Sequence, residues 1–273
     1  MNPRISIGLV LYKTPLELVQ RVLINVLESS ACVECIVLDN SPTPNDSPLL
    51  KLERIRYIHS ETNLGFGGGH NKIFFDFCKD SDFHLILNPD ISFSSQVLGD
   101  LLSYFDAKNK IVALMPSVLN PDGSSQNLCK LLPTPIDLIG RRFFPSNFTN
   151  KFINSSYVLS DLPTDRPLEV PMLSGCFLLV RSANFRAIGG FDERFFMYME
   201  DVDLIRRLSE LGRVLYIPMV NVFHDYAKGS YRNMKLLIFH IFSAIIYFNK
   251  WGWFFDSKRH RKNHQFLKTL NQQ

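Results

Sequence analysis

The chain has 273 residues, of which 46% are hydrophobic and 21% charged, with a net charge of +4. That length and apolar content suffice for one large α/β domain or two small ones, and they exclude a disordered chain. The charge is too weak to argue for nucleic acid as a partner, although the basic residues are unevenly spread and gather toward the C-terminus.

The opening MNPRISIGLVLYK holds only a short apolar run before Lys13 and no small-residue cleavage site. It reads as a first strand rather than a secretory signal, and the expected location is cytoplasmic. Five cysteines at irregular spacing fit a reducing compartment. Cys32 and Cys35 have no second pair to complete a zinc site, and Cys35 reads as strand core. Sequons begin at Asn45, Asn147 and Asn154, and without a secretory signal they carry no weight.

Residues 5–11 form an almost continuous apolar run of strand length, and Thr14-Pro15 then starts an amphipathic helix through Leu16, Val19, Val22, Leu23, Val26 and Leu27. Residues 32–38 predict a second buried strand that ends in Asp39-Asn40-Ser41-Pro42. This is a βαβ unit, which brings Tyr12 and Lys13 beside Asp39 and Asn40 at the carboxyl edge of a parallel sheet. Ligands bind at that edge in open α/β sheets.

Residues 55–59 predict a third strand, followed by the loop NLGFGGGHN at 63–71. The loop does not fit the dinucleotide fingerprint, because Gly65 and Gly67 would require glycine where His70 stands. It can bring bare backbone to a diphosphate or a sugar at the start of a helix over 69–78, or serve as a plain connection. Residues 83–87 predict the next buried strand, ending in Asn88-Pro89-Asp90. Asp90 there is placed either to hold a divalent cation or to cap a turn. A helix over 94–105, a strand over 111–115 and a turn signal at Asn120-Pro-Asp-Gly123, suggesting a hairpin, come next. From Cys129 to Val170 the pattern degrades, with Arg141, Arg142, Phe143 and Phe144 among prolines, so this segment is expected to be mobile and to act as a lid or acceptor-binding insertion. Order returns over 172–181, and 214–217 predicts a further strand before His224.

The chain is organised around residues 189–211, GGFDERFFMYMEDVDLIRRLSEL. A glycine pair makes a tight turn, aromatic residues follow, and Glu200, Asp201 and Asp203 stand where a helix starts. Leu204, Leu208 and Leu211 continue that helix, with Gly212 at its C-cap. Asp203 is explained by pairing with Arg206 or Arg207. Two adjacent acids behind so much aromatic surface call for a proton, a metal or a substrate hydroxyl.

With these pieces in chain order, the sequence resembles glycosyltransferase family 2, the inverting nucleotide-sugar transferases of the GT-A fold, and most closely the bacterial O-antigen rhamnosyltransferases. The matching segments are VLYKTP at 10–15, DNSP at 39–42, NLGFGGGHN at 63–71, LNPD at 87–90, SGCFLLVR at 174–181, the stretch 189–207 and VFH at 222–224. The resemblance implies an α/β fold with a mostly parallel central sheet flanked by helices over residues 1–228, and a C-terminal helical extension over 229–273. It implies a nucleotide-sugar pocket at Val10, Tyr12, Asp39, Asn63, Gly65, Gly67, Gly68, Asn71, Asn88 and Asp90. Asp90 would be the carboxylate ligand to Mg²⁺ or Mn²⁺, and His224 falls where related members place a histidine ligand. Asp201 would be the catalytic base, with Glu200, Tyr198 and Gly175 at the acceptor site. Asn88 departs from the family's Asp-x-Asp motif, and the same variant in rhamnosyltransferases points to dTDP-L-rhamnose as donor.

The chemistry that follows is one displacement: a base deprotonates an acceptor hydroxyl as it attacks the anomeric carbon, and the configuration inverts. At the start of its helix, Asp201 is expected to be ionised at neutral pH. The alternatives are another hexosyl or N-acetylhexosaminyl transferase using a UDP-sugar and, in a different class, a non-catalytic sugar-nucleotide or glycan binding module. In the tail, residues 236–248 are too short an apolar run to span a bilayer, but Trp251, Trp253, Phe254 and Phe255 precede Lys258, Arg259, Arg261 and Lys262. An aromatic belt beside a basic cluster suits peripheral binding to an anionic membrane surface and a lipid-linked glycan acceptor; the competing reading is a helix packed on the catalytic domain.

Overall fold

The computed structural model describes residues 3–29, 31–106, 109–138, 157–225 and 234–272. The Arg141-Arg142 and Phe143-Phe144 pairs, the sequons at Asn147 and Asn154, and the boundary between 228 and 229 lie outside them.

The first half builds β1 (Ile5–Leu11), α1 (Leu16–Glu28), β2 (Cys32–Asp39), β3 (Ile55–His59), α2 (Gly65–Phe77) and β4 (Phe83–Leu87). β1 lies between β2 and β4, parallel to both, and Leu11 registers with Asp39 while Leu9 registers with Leu87. The remaining strands are β5 (Ile91–Ser92), β6 (Ile111–Leu119), β7 (Leu168–Glu169), β8 (Phe177–Arg181) and β9 (Arg213–His224). They complete one sheet in the order β3-β2-β1-β4-β8-β6-β9-β5, with β7 pairing β9. Only β8, β5 and β7 run against the other strands, so the sheet is mostly parallel. Between and after these strands lie α3 (Val97–Leu102), α4 (Ser182–Ala187), α5 (Glu200–Leu208), α6 (Met234–Trp251) and α7 (Ser257–Asn271).

The alternation of β1 sorts the core into two layers. Ile5, Ile7, Leu9 and Leu11 face α1 and pack on Val19, Val22, Leu23 and Val26. Gly8 and Val10 face α2, and Gly69 of that helix lacks a side chain where Val10 approaches, which lets α2 lie close on the sheet.

Several boundaries differ from expectation. α2 begins at Gly65, not at 69, because Asn63 Oδ1 accepts the Gly65 N–H at 2.9 Å and Gly65 takes a positive φ of 73°. α5 ends at Leu208; Gly212 is instead a point of close approach, where a Cβ would strike the Lys110 carbonyl and where Arg213 N–H donates to that same carbonyl at 2.9 Å. β9 is longer than expected because it pairs along β6 and also takes β5 and β7. The Asn120 turn forms, with Gly123 N–H donating to Asn120 O, but it closes only an isolated Leu119–Ser125 bridge rather than a hairpin of strands. The described parts of the expected lid are anchored: Lys130 bridges both Val158 and Met172, and Cys129, Leu131, Tyr157 and Leu159 are buried.

Candidate active site

Three carboxyl-edge segments build the site. At the end of β2, Asp39 is buried and its carboxylate accepts the N–H groups of Ser41 and Asn45 at 2.9 and 3.0 Å, and the Tyr57 hydroxyl at 2.8 Å. Burial and that hydrogen bond to Asp39 push the Tyr57 phenol up to about 12. Asp39 therefore organises the loop that walls a cleft of about 590 Å³, lined by Lys13, Thr14, Ser41, Thr43, Asn45 and Asp46 with others. Lys13 holds a left-handed φ of 50° and donates its N–H to Ser41 Oγ at 2.7 Å. A cleft of this volume falls within the range of small-molecule sites.

The glycine loop joins the cleft to the acidic helix. Asn40 Nδ2 donates to Gly65 O at 3.2 Å, and Phe66 N–H donates to Phe196 O at 3.2 Å. Gly65 has no room for a side chain because Phe196 O occupies the space, and Gly67 packs on Phe191. Gly68 is different: only Leu64 comes within reach, so its bare backbone faces outward. Asn71 sits deeper, its amide donating to Phe191 O and Glu193 Oε1 and accepting Phe191 N–H, all within 2.8 to 2.9 Å. It clamps the glycine-pair turn, where Gly189 and Gly190 have φ of 74° and 69°. Val10 is spent on packing against Gly69, whereas Tyr12 is half exposed beside Lys13.

Beyond β4, Asn88 N–H donates to Cys176 O at 2.8 Å, tying the Asn-Pro-Asp turn to the Ser174-Gly175-Cys176 segment. Antiparallel pairing of β5 with β9 sets Ile91 opposite His224, which brings His224 Nε2 to 3.1 Å from Asp90 Oδ1. The Asp90 oxygen is buried without a hydrogen bond, and His224 Nδ1 meets Gln126 Oε1 at 2.9 Å, which fixes the imidazole orientation. A carboxylate oxygen and an imidazole nitrogen facing each other, with the ring held from behind, fit a divalent cation completed by diphosphate oxygens. Among the described residues no group of three or more such side chains gathers.

The third segment is the start of α5. Tyr198 and Met199 both take left-handed φ, 70° and 65°, a cost concentrated immediately before the acid pair. Asp201 accepts the Gly175 N–H at 3.3 Å and the Val202 N–H at 2.8 Å. Glu200 is buried, and its Oε2 has no hydrogen-bond partner. Burial, then the charge of Asp201, pushes Glu200 well above the usual carboxylate range; burial also raises Asp201, opposed by the Gly175 amide and the charge of Lys130. Burial thus works against the helix start that was expected to hold Asp201 ionised, while the Gly175 and Val202 amides and the charge of Lys130 work with it. Asp90 and Asp201 both lie near Cys176, where their charges add to the burial that pushes its thiol up to about 12.

The structure thus gathers Asp90, His224, Gly175, Glu200 and Asp201 around the Ser174-Gly175-Cys176 turn, with Asp39 and the cleft at the far end of the glycine loop. Tyr198 points elsewhere, its ring 5.3 Å from that of His240 on α6. Sequence reasoning missed Lys130, Gln126, Thr43 and Asp46. Lys130 and Gln126 come from a segment without periodicity, and Thr43 and Asp46 from an irregular loop, so no pattern marked them.

The profile described as glycosyl transferase family 2 matches residues 6–184. The chain is 31% identical over 219 residues to N-acetylglucosaminyl-diphospho-decaprenol L-rhamnosyltransferase of Mycobacterium tuberculosis, covering 74% of this chain and 69% of that protein. It is 29% identical over 243 residues to rhamnosyltransferase WbbL of Escherichia coli, covering 84% and 87%. In fold it is similar to the mannosyltransferase PcManGT from Pyrobaculum calidifontis in complex with GDP-Man and Mn²⁺, with a TM-score of 0.60 at 14% identity, over 90% of this chain and 65% of that one.

Proposed function

Because the chain belongs to glycosyl transferase family 2 and is a glycosyltransferase, we propose that it moves L-rhamnose from dTDP-L-rhamnose onto a hydroxyl of a lipid-linked glycan, with inversion, at the cytoplasmic face of the membrane. The observation that carries the reading is the acid pair at the head of α5, aligned by Gly175 and adjoining the Asp90–His224 pair. The donor choice rests on the rhamnosyltransferases that match over most of the chain, and the acceptor class on the lipid diphosphate named in the first of them.

In this reading the nucleoside occupies the cleft beside Asp39, and the backbone at Gly68 lies along the sugar diphosphate. Asp90 and His224 would hold Mg²⁺ or Mn²⁺, which would supply positive charge to the leaving diphosphate. Glu200, kept protonated by burial and by its neighbour, donates a hydrogen bond in the acceptor site. Asp201 carries the pair's negative charge and accepts the hydroxyl proton as the oxygen attacks. Burial raises both carboxyls, Glu200 the more strongly, and this difference supports reading Glu200 as donor and Asp201 as base.

A donor panel tests the reading. With polyprenyl diphosphate-linked N-acetylglucosamine as acceptor, dTDP-L-rhamnose should release dTDP at a rate well above that of UDP-glucose or UDP-N-acetylglucosamine. Faster turnover of a UDP-sugar would replace the donor. Binding of dTDP with no acceptor-dependent release from any donor would leave a binding module.

A further inference from the structure

Among the described residues, one face of α6 is exposed. Met234, Ile238, Ile241, Phe242 and Ile245 are all exposed, at i, i+4, i+7, i+8 and i+11, so they form one stripe along the helix. The α6–α7 connection extends it with Phe254 and Phe255, which are 74% and 97% exposed. The opposite face is committed inward: Tyr247 and Phe248 are buried, Ser243 Oγ donates to Met197 O at 2.7 Å, and Phe239 and His240 meet Phe196 and Tyr198. A contiguous apolar face of this kind on a water-facing surface marks an interaction site.

Charge identifies the occupant. Between Met234 and Gln272 there are seven lysines and arginines and one acid, a net +6 within a chain of net +4, so the rest of the protein is net negative. The single acid, Asp256, is buried against Arg206 and offers nothing outward. Of the seven, Lys250 meets Asp192 and Asp203, Lys258 and Lys262 pair with Glu210, and Arg259 is buried, while Lys235, Arg261 and Lys268 are exposed. No described helix is long and apolar enough to cross a membrane. An apolar stripe with a basic border on a helix that cannot span is the pattern of an element lying in the plane of an anionic lipid surface.

We infer that the outer face of α6, with Phe254 and Phe255, seats the enzyme on anionic phospholipid, while its inner face packs on residues 195–199, just before the acid pair. Tyr247 and Phe248 of that inner face cluster with Met199 and Val202, which flank the acid pair, so the element that meets the lipid also supports the acids, as suits an acceptor whose lipid tail stays in the bilayer. The inference deepens the lipid-linked acceptor reading and rests on it only for that last step.

The test uses the full chain, because α6 and α7 are packed into the core. Two variants, Ile238→Glu with Phe242→Glu, and Phe254→Ser with Phe255→Ser, alter only exposed side chains. Wild type should float with phosphatidylcholine vesicles containing phosphatidylglycerol and bind pure phosphatidylcholine much more weakly. Each variant should lose at least tenfold in vesicle binding while retaining its dTDP affinity. Flotation needs no donor or acceptor, so its result stands apart from the rhamnosyl assignment. Wild type that ignores vesicles, variants that bind as well as wild type, or a face consumed by a stable dimer in sedimentation equilibrium would each overturn the inference.

Discussion

Asp201 and Glu200 are neighbours in sequence, yet their surroundings set them different tasks. Asp201 accepts two backbone N–H groups and feels Lys130, whereas Glu200 Oε2 is buried with no partner. Asp201→Asn keeps the shape and removes the basicity, so transfer should fall by ~10²- to 10⁴-fold while dTDP binding, built at the other end of the glycine loop, stays near normal. Near-normal transfer would reject Asp201 as base, and loss of dTDP binding would point to misfolding. The raised position of Asp201 also predicts the pH profile. In this reading the deprotonated form is the active one, so the acidic limb of kcat/KM should lie higher than a solvated aspartate would place it. Glu200→Gln keeps a neutral hydrogen-bond donor where the protonated acid stood; it should damage turnover less than Asp201→Asn and leave the acidic limb where it is. If it proves the more damaging change, the two roles are exchanged. Sequence marked these two residues because acids beside aromatic surface are costly, but it did not show their protonation, which depends on the Gly175 amide and Lys130 arriving from other segments.

α2 carries the glycine loop at one end and a buried polar cluster along its inner side. His70 and His84 are fully buried, and both pack on Gly8, whose missing side chain leaves room for His70 Nδ1 and His84 Nε2. Burial holds both imidazoles neutral: His84 is pushed down to about 3, with Ser6 Oγ at 2.8 Å from its Nδ1, and His70 falls well below its usual value through burial and the neighbouring His84. Neither ring nitrogen of His70 has a hydrogen-bond partner. Because the folded state binds these protons more weakly than the unfolded state, each imidazole withdraws stability as pH falls below about 6.5, by up to ~1.4 kcal/mol per pH unit. Glu200 and Asp201 act with the opposite sign, since their raised positions add stability as pH falls, so the histidine contribution must be isolated by difference. His70→Leu should be at least as stable as wild type at pH 7.5, because it removes an unsatisfied polar group of similar volume, and it should flatten the acid-side loss in urea titrations between pH 6.5 and 5. A variant destabilised at pH 7.5 with an unchanged acid slope would show that His70 is satisfied in some other way. In the sequence His70 appeared only as the residue that breaks a dinucleotide fingerprint. The strands β1 to β4 and helices α1 and α2 were legible because their apolar runs are long and their turns carry Gly, Pro or Asn. The short β5, β7 and α4 were not, because two to six residues carry no period and owe their conformation to the strands they meet.

At the scale of the whole molecule, the C-terminal helices are tied to α5 by buried charge. Asp203 is fully buried and is met by Arg207 Nε, Lys250 Nζ and Trp251 Nε1 at 2.7 to 2.8 Å. Arg206 pairs with Asp256 through two hydrogen bonds of 2.8 and 3.0 Å and donates to the Tyr247 hydroxyl oxygen at 2.9 Å. Asn263 closes a two-bond clamp on the Leu132 backbone, and Phe266 enters the core beneath α5. The sequence offered Asp203 two arginine partners; the structure pairs it with Arg207 and sends Arg206 to the tail, a choice that only tertiary packing makes. Division into residues 1–228 and 229–273 therefore has a direct energetic test. Asp256→Ala leaves the Arg206 guanidinium buried and unpaired, which costs about 3–5 kcal/mol, and also removes the side chain that caps α7 by accepting Arg259 N–H. If tail and catalytic helix form one cooperative unit, hydrogen exchange in the variant should show α5, α6 and α7 losing protection together, with transfer activity falling in step because Glu200 and Asp201 ride on α5. Opening of α6 and α7 with α5 protection and activity intact would establish the tail as a separate unit. The same linkage makes truncation a poor probe of membrane binding, because removing residues 234–273 uncovers Phe195, Val202 and Leu132 and strips Asp203 of two of its three partners.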